Sequence, residues 1–135
     1  MQLAEVVEAL EAEVVLGGEQ LGREIGVAGG CDMISDLLFF GKPGMLLLTG
    51  LTQAAVVRTA HLIDISGIVL VRGKRPDEEA VALARDYGLP LLISPHSLYD
   101  CCGRLYVRGL PGVIPPPKRG AEAPAERRIP ASDSS

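Results

Sequence analysis

From Met45 to Ile93 the chain alternates short, wholly apolar runs with longer stretches in which apolar residues recur every three or four positions. The runs are Met45-Leu46-Leu47-Leu48, Gly67–Val71 and Leu91-Leu92-Ile93. Each is too short for a helix and lacks the polar alternation of a half-exposed strand, so each predicts a strand buried on both faces. Between them, Gln53 to about Asp64 and Pro76 to Tyr87 follow a helical period. Thr52 is placed to N-cap the first of these helices. Pro76 suits the first position of the second, and Asp77-Glu78-Glu79 complements its dipole. Gly88 is the expected C-cap there, and Pro90 prevents continuation.

The flanking segments are weaker but of the same kind. Leu3, Val6, Val7 and Leu10 mark one face of a first helix, and Glu13–Leu16 is a brief strand closed by Gly17-Gly18. Ile25 and Val27 predict a half-buried strand within Glu24–Gly30, weakened by its glycines. Met33–Phe40 reads as a short helix, and Gly41-Lys42-Pro43-Gly44 as a turn. Leu98, Cys102 and Leu105 share one face of a last helix, with Gly103 lowering its propensity. Apolar strands alternating with helices predict an α/β fold: a small, mostly parallel sheet with flanking helices and right-handed crossovers.

The composition changes at Pro115. Residues 115–135 hold five of the ten prolines and one large aliphatic residue, Ile129, so the expected domain is 1–114, with a disordered Pro-rich tail after it. The tail carries four basic and three acidic groups, which leaves residues 1–114 with nine basic and fourteen acidic ones. That acidic balance argues against nucleic acid as a partner. An aromatic content of 4% with no Trp argues against base stacking as a binding mode. No apolar run approaches the length of a membrane span, and the first residues lack a basic region followed by an apolar one, so a cytoplasmic protein is expected. Cys31, Cys101 and Cys102 form no C-x-x-C pair. They read as small buried hydrophobes in a reducing compartment, because their spacing, even with His96, matches no zinc pattern.

In a parallel sheet the ligand crevice lies beyond the carboxyl ends of the strands. Three segments are expected there. In Thr49-Gly50-Leu51-Thr52, the glycine admits a ligand close to the backbone and the following helix start offers N–H groups to an anion. Arg72-Gly73-Lys74-Arg75 sets three cations around a glycine, and Ser94-Pro95-His96-Ser97 adds hydroxyls and an imidazole. The candidate ligand-binding residues are therefore Thr49, Gly50, Thr52, Arg72, Gly73, Lys74, His96 and Ser97, suited to a phosphate held by charge-assisted hydrogen bonds. Catalytic patterns are missing: there is no P-loop, no G-x-G-x-x-G after a strand and no G-x-S-x-G elbow. Asp32 is expected to cap the helix that follows it and Asp36 to face solvent. His61 is expected to lie beside Arg58 and Asp64 on a helix surface.

The segments Leu48-Thr49-Gly50-Leu51-Thr52, Val56-Val57-Arg58-Thr59-Ala60, Asp64-Ile65 and Val71-Arg72-Gly73-Lys74 resemble the DRTGG domain. Arg23-Glu24-Ile25, Asp32–Asp36, Gly103–Tyr106 and Gly109-Leu110 extend the resemblance over about residues 1–112, although Gly22 stands where the family often has Asp. The resemblance implies a fold similar to the N-terminal domain of HPr kinase, without that enzyme's P-loop domain. It implies a regulatory rather than catalytic role, with an adenine nucleotide as a possible regulatory ligand and a homodimer as the working form. The alternative is an accessory interaction subunit of a larger metabolic or redox enzyme, with no ligand of its own.

Overall fold

The computed structural model describes residues 1–114; the expected tail lies outside the described residues. The elements in chain order are α1 (Leu3–Leu10), β1 (Glu13–Leu16), a short 3-10 turn (Gly18–Gln20), β2 (Ala28–Gly30) and α2 (Ile34–Phe40). They continue with β3 (Leu46–Thr49), α3 (Ala54–Ile63), β4 (Gly67–Leu70), α4 (Glu78–Tyr87), β5 (Leu91–Ile93) and α5 (Leu98–Tyr106). The five strands form one sheet in the order β1-β5-β4-β3-β2. All neighbours run parallel except β1, which pairs antiparallel with β5. The architecture is the α/β fold expected from the apolar runs.

Alternation along each strand sends side chains to opposite faces, and both faces are covered. Leu47, Ile68, Leu70 and Leu91 pack with Leu37 of α2, Val57 and Ala60 of α3, and Ala80 and Ala84 of α4. Leu46, Leu48, Val69 and Leu92 pack on the other side with Leu3, Val6 and Leu10 of α1 and Cys101 and Leu105 of α5. This double burial explains why β3, β4 and β5 are apolar at nearly every position. Among the described residues no helix is long and apolar enough to cross a membrane.

Three local expectations change. The N-cap of α3 is Gln53, not Thr52, and its side chain makes no capping bond. Helix α4 begins at Glu78 after Asp77, so Pro76 lies in the approach and not at the first helical position. The N-cap of α2 is Met33, which frees Asp32 for another partner. Gly88 does cap α4, at φ 67°.

Candidate functional site

Because β3, β4 and β5 are adjacent and parallel, the loops leaving their carboxyl ends share one rim. Backbone bonds lock them together there. Val71 N–H donates to the Thr49 carbonyl at 3.0 Å, and Asp77 N–H to the Thr52 carbonyl at 3.0 Å. Arg72 N–H donates to the His96 carbonyl at 2.7 Å, and Gly73 N–H to the Ser94 carbonyl at 2.8 Å. The segments 49–52, 72–75 and 94–97 therefore lie side by side.

The centre of the rim is a tight turn. Arg72 and Gly73 both have positive φ, 60° and 66°, and Lys74 N–H closes the turn on the Val71 carbonyl at 3.2 Å. An arginine in this region carries a steric cost of about 1–2 kcal/mol that glycine would not. The guanidinium it projects reaches back across the sheet: Arg72 Nη2 lies 2.9 Å from where a Cβ on Gly50 would stand. Asp32 Oδ1 lies 3.2 Å from the same point, so a side chain at position 50 would push the ends of Arg72 and Asp32 aside.

Several expected ligand groups are already engaged. Asp32 Oδ1 accepts the Gly50 N–H at 2.7 Å, so that donor is not free for an anion, and the capping role expected for Asp32 on α2 is corrected. Thr49 is fully buried, and its Oγ1 accepts the Leu51 N–H at 3.1 Å. Ser97 Oγ accepts the Asp100 N–H at 3.1 Å and caps α5. His96 Nε2 lies 2.9 Å from Glu11 Oε1, a carboxylate that also receives Arg104 Nη1 at 3.5 Å. Arg75 pairs with Glu13 at 2.9 Å, and this bond holds the Glu13 carboxyl below the usual range. Among the described residues, Arg72 and Lys74 take part in none of the ion pairs, and both are exposed.

Sequence reasoning missed Glu11 and Glu13 as rim residues because it left the direction of β1 open. An antiparallel β1 brings Glu13 opposite Ile93, at the carboxyl end of β5. It missed Asp32 as a rim residue because β2 is short and Gly-rich. Yet β2 is also parallel to β3, so its carboxyl end delivers residues 31–33 to the same rim. His61 lies on the exposed side of α3 as expected and stacks on Tyr87 with ring centres 3.7 Å apart, while Arg58 pairs with Glu79 at 3.1 Å.

The rim is an open surface. The hollow beneath Leu51, Thr52 and Pro76 is too tight to admit water. An apolar groove of about 280 Å³ lies elsewhere, along the outer edge of β2, lined by Gly29, Gly30, Phe40, Leu105, Tyr106 and Val113 among others. Burial pushes the thiols of Cys31, Cys101 and Cys102 up from the ordinary value; Cys31 and Cys101 are core groups, whereas Cys102 is half-buried at the groove. Among the described residues no group of three or more His, Cys, Asp or Glu side chains could hold a metal ion.

No protein-family model matches the sequence, and no curated protein matches it significantly. The fold has a solved counterpart in the CBS and DRTGG domains of the regulatory region of Clostridium perfringens pyrophosphatase, complexed with the activator diadenosine tetraphosphate. The TM-score is 0.66 at 22% sequence identity, over 82% of this chain. The fold is DRTGG-like. The match spans 47% of the counterpart, so this chain corresponds to about half of that regulatory region. At this identity the likeness speaks for the fold of the DRTGG-like domain and leaves the chemistry to its own residues.

Proposed function

We propose that this DRTGG-like domain is a non-catalytic regulatory module of the cytoplasm. Its strand-end rim takes an adenine nucleotide or another phosphorylated ligand, and it works as a homodimer. One observation carries the ligand reading: Arg72 is held at positive φ with its guanidinium over Gly50, beside exposed Lys74 and without an acidic partner among the described ion pairs. Backbone strain that aims a cation at an open rim is a common device of ligand sites. In this reading Arg72 and Lys74 contact the phosphates, and Thr52 and the Gly73 backbone border them. His96 stands at the edge, oriented by Glu11. Thr49, Gly50 and Ser97 shape the rim from beneath. The counterpart's activator, diadenosine tetraphosphate, is a polyanion of the kind such a rim would take.

Thermal melting of the full chain with millimolar ATP, ADP, AMP, NADH and diadenosine polyphosphates tests the reading. A ligand at a hundred times its Kd stabilises the folded state by about 2.7 kcal/mol, a shift on the order of 10 °C. The shift should vanish in Arg72→Ala/Lys74→Ala. No shift with any of these ligands ends the ligand reading. A second reading, an accessory subunit docking to a larger metabolic or redox enzyme, is favoured by the exposed Leu38 and Phe39 on α2 and Leu62 on α3, helices that pack together. It requires Phe39→Ser to abolish association with the partner enzyme while Arg72→Ala/Lys74→Ala leaves it intact.

A further inference from the structure

Helix α5 is apolar on two sides. Its inner side buries Cys101 and Leu105 against the sheet. Its outer side carries Tyr99, 86% exposed, Tyr106, 69%, and Val107, 83%. Tyr99, Gly103 and Tyr106 stand at i, i+4 and i+7 and form one stripe, bordered by half-buried Cys102. A Cβ on Gly103 would meet nothing within 4 Å, so the stripe is lowest at its middle and raised at both ends. The geometry points to this outer face of α5 as the surface on which a second copy of the chain packs, its α5 antiparallel. The inference deepens the homodimer reading above and is independent of the ligand.

The stripe is its own complement. Its two ends match: Tyr99 and Tyr106 are equidistant from the midpoint between Cys102 and Gly103. A twofold axis there reverses the partner helix, so Tyr99 of one copy meets Tyr106 of the other, and the two Gly103 positions let the backbones approach. The same operation brings like flanks together. Asp100 and Arg104 line one flank of the stripe, and the operation sets Asp100 of each copy opposite position 105 of its mate, one residue from Arg104 and within reach of that long side chain. Arg104 uses only Nη1, toward the Ala9 carbonyl and Glu11, which leaves guanidinium donors for that pair. On the other flank, Cys102 and Tyr106 also line the groove beside β2, so the apolar surface continues past the helix. At roughly 150–250 Å² for a whole aromatic side chain, the exposed parts of Tyr99 and Tyr106 supply about 230–390 Å² of the ~800 Å² per partner of a standard interface, and Val107, the flanks and the groove mouth must supply the rest.

Sedimentation velocity of the full chain over a micromolar concentration range is the test, with thermal melts as a check on folding. The wild type should sediment as a reversible dimer. Tyr99→Glu/Tyr106→Glu, which alters only exposed side chains, should weaken it by well over tenfold, and Asp100→Lys should weaken it about tenfold. Adding Arg104→Glu to Asp100→Lys should restore association. A wild-type monomer overturns this inference and the dimeric part of the proposed function, leaving the nucleotide part to the melting experiment. A dimer that withstands the tyrosine and charge-reversal variants overturns the α5 surface alone. If the tyrosine variant fails to fold, the outcome of the charge exchange decides.

Discussion

Ser94 is a buried hydroxyl that ties the rim to α1, and removing it has a calculable cost. Its Oγ donates to the Leu10 carbonyl at 2.8 Å, accepts the His96 N–H at 3.2 Å, and receives the Cys101 thiol at 3.4 Å. The Leu10 carbonyl belongs to the last turn of α1, where no further helical N–H is available to it. Ser94→Ala leaves that carbonyl and the His96 N–H without their partner while creating almost no cavity. A buried polar group stranded in this way costs about 1–3 kcal/mol. The carbonyl is fully enclosed and the amide only partly, so the two together amount to about 3 kcal/mol. Against a typical domain stability of about 5–15 kcal/mol this is a large fraction, and it lowers Tm by on the order of 10 °C. Urea unfolding followed by circular dichroism measures it as a lower midpoint at unchanged slope. Ser35→Ala, at an exposed position, serves as the control. Amide exchange at His96 should also quicken, since the β5 loop loses its tether. A Ser94→Ala protein within about 0.5 kcal/mol of wild type, the range of ordinary surface substitutions, would refute the reasoning.

Other outcomes follow from the same geometry. Gly17→Ala meets both a φ of 99° and Pro90 atoms at 2.8–2.9 Å, so it should lose about 2–4 kcal/mol in urea unfolding, whereas Gly18→Ala, with open space around it, should be near neutral. Asp32→Asn keeps the acceptor for the Gly50 N–H but removes the negative charge facing the same gap as Arg72. At ~5 Å and an effective dielectric of ~20–80, that charge opposes an anion by about 1–3 kcal/mol, so ATP or inorganic phosphate should bind roughly 5- to 150-fold more tightly by calorimetry. Unchanged or weaker binding would place the anion elsewhere. The buried thiols of Cys31 and Cys101, raised by desolvation, should react slowly with a disulfide reagent at pH 8 until the chain unfolds, and half-buried Cys102 should react before them. Their contribution to stability is fully present below the ordinary thiol pKa and is lost as pH climbs through the raised native values, so the urea midpoint should fall on the alkaline side. A midpoint flat across that range would contradict the burial of the thiols.

The runs 45–48, 67–71 and 91–93 could be read as doubly buried strands from their apolar residues alone, because burial on both faces favours apolar side chains, and only Thr49, which closes β3, was read as loop. The end of α4 at Gly88 was equally legible, since left-handed caps select glycine locally. From parallel strands it also followed that Thr49–Thr52, Arg72–Arg75 and Ser94–Ser97 meet on one rim. What each rim side chain touches did not follow. Glu13 takes Arg75 across 62 positions, Glu11 takes His96 across 85, and Asp32 takes the Gly50 N–H across 18. Periodicity and turn chemistry are properties of neighbours along the chain, so the sequence by itself determined the elements and the rim at the strands' carboxyl ends. Which carboxylates enter that edge depended on the direction of β1 and the pairing of a three-residue β2, contacts between distant segments that only the packed tertiary structure decides.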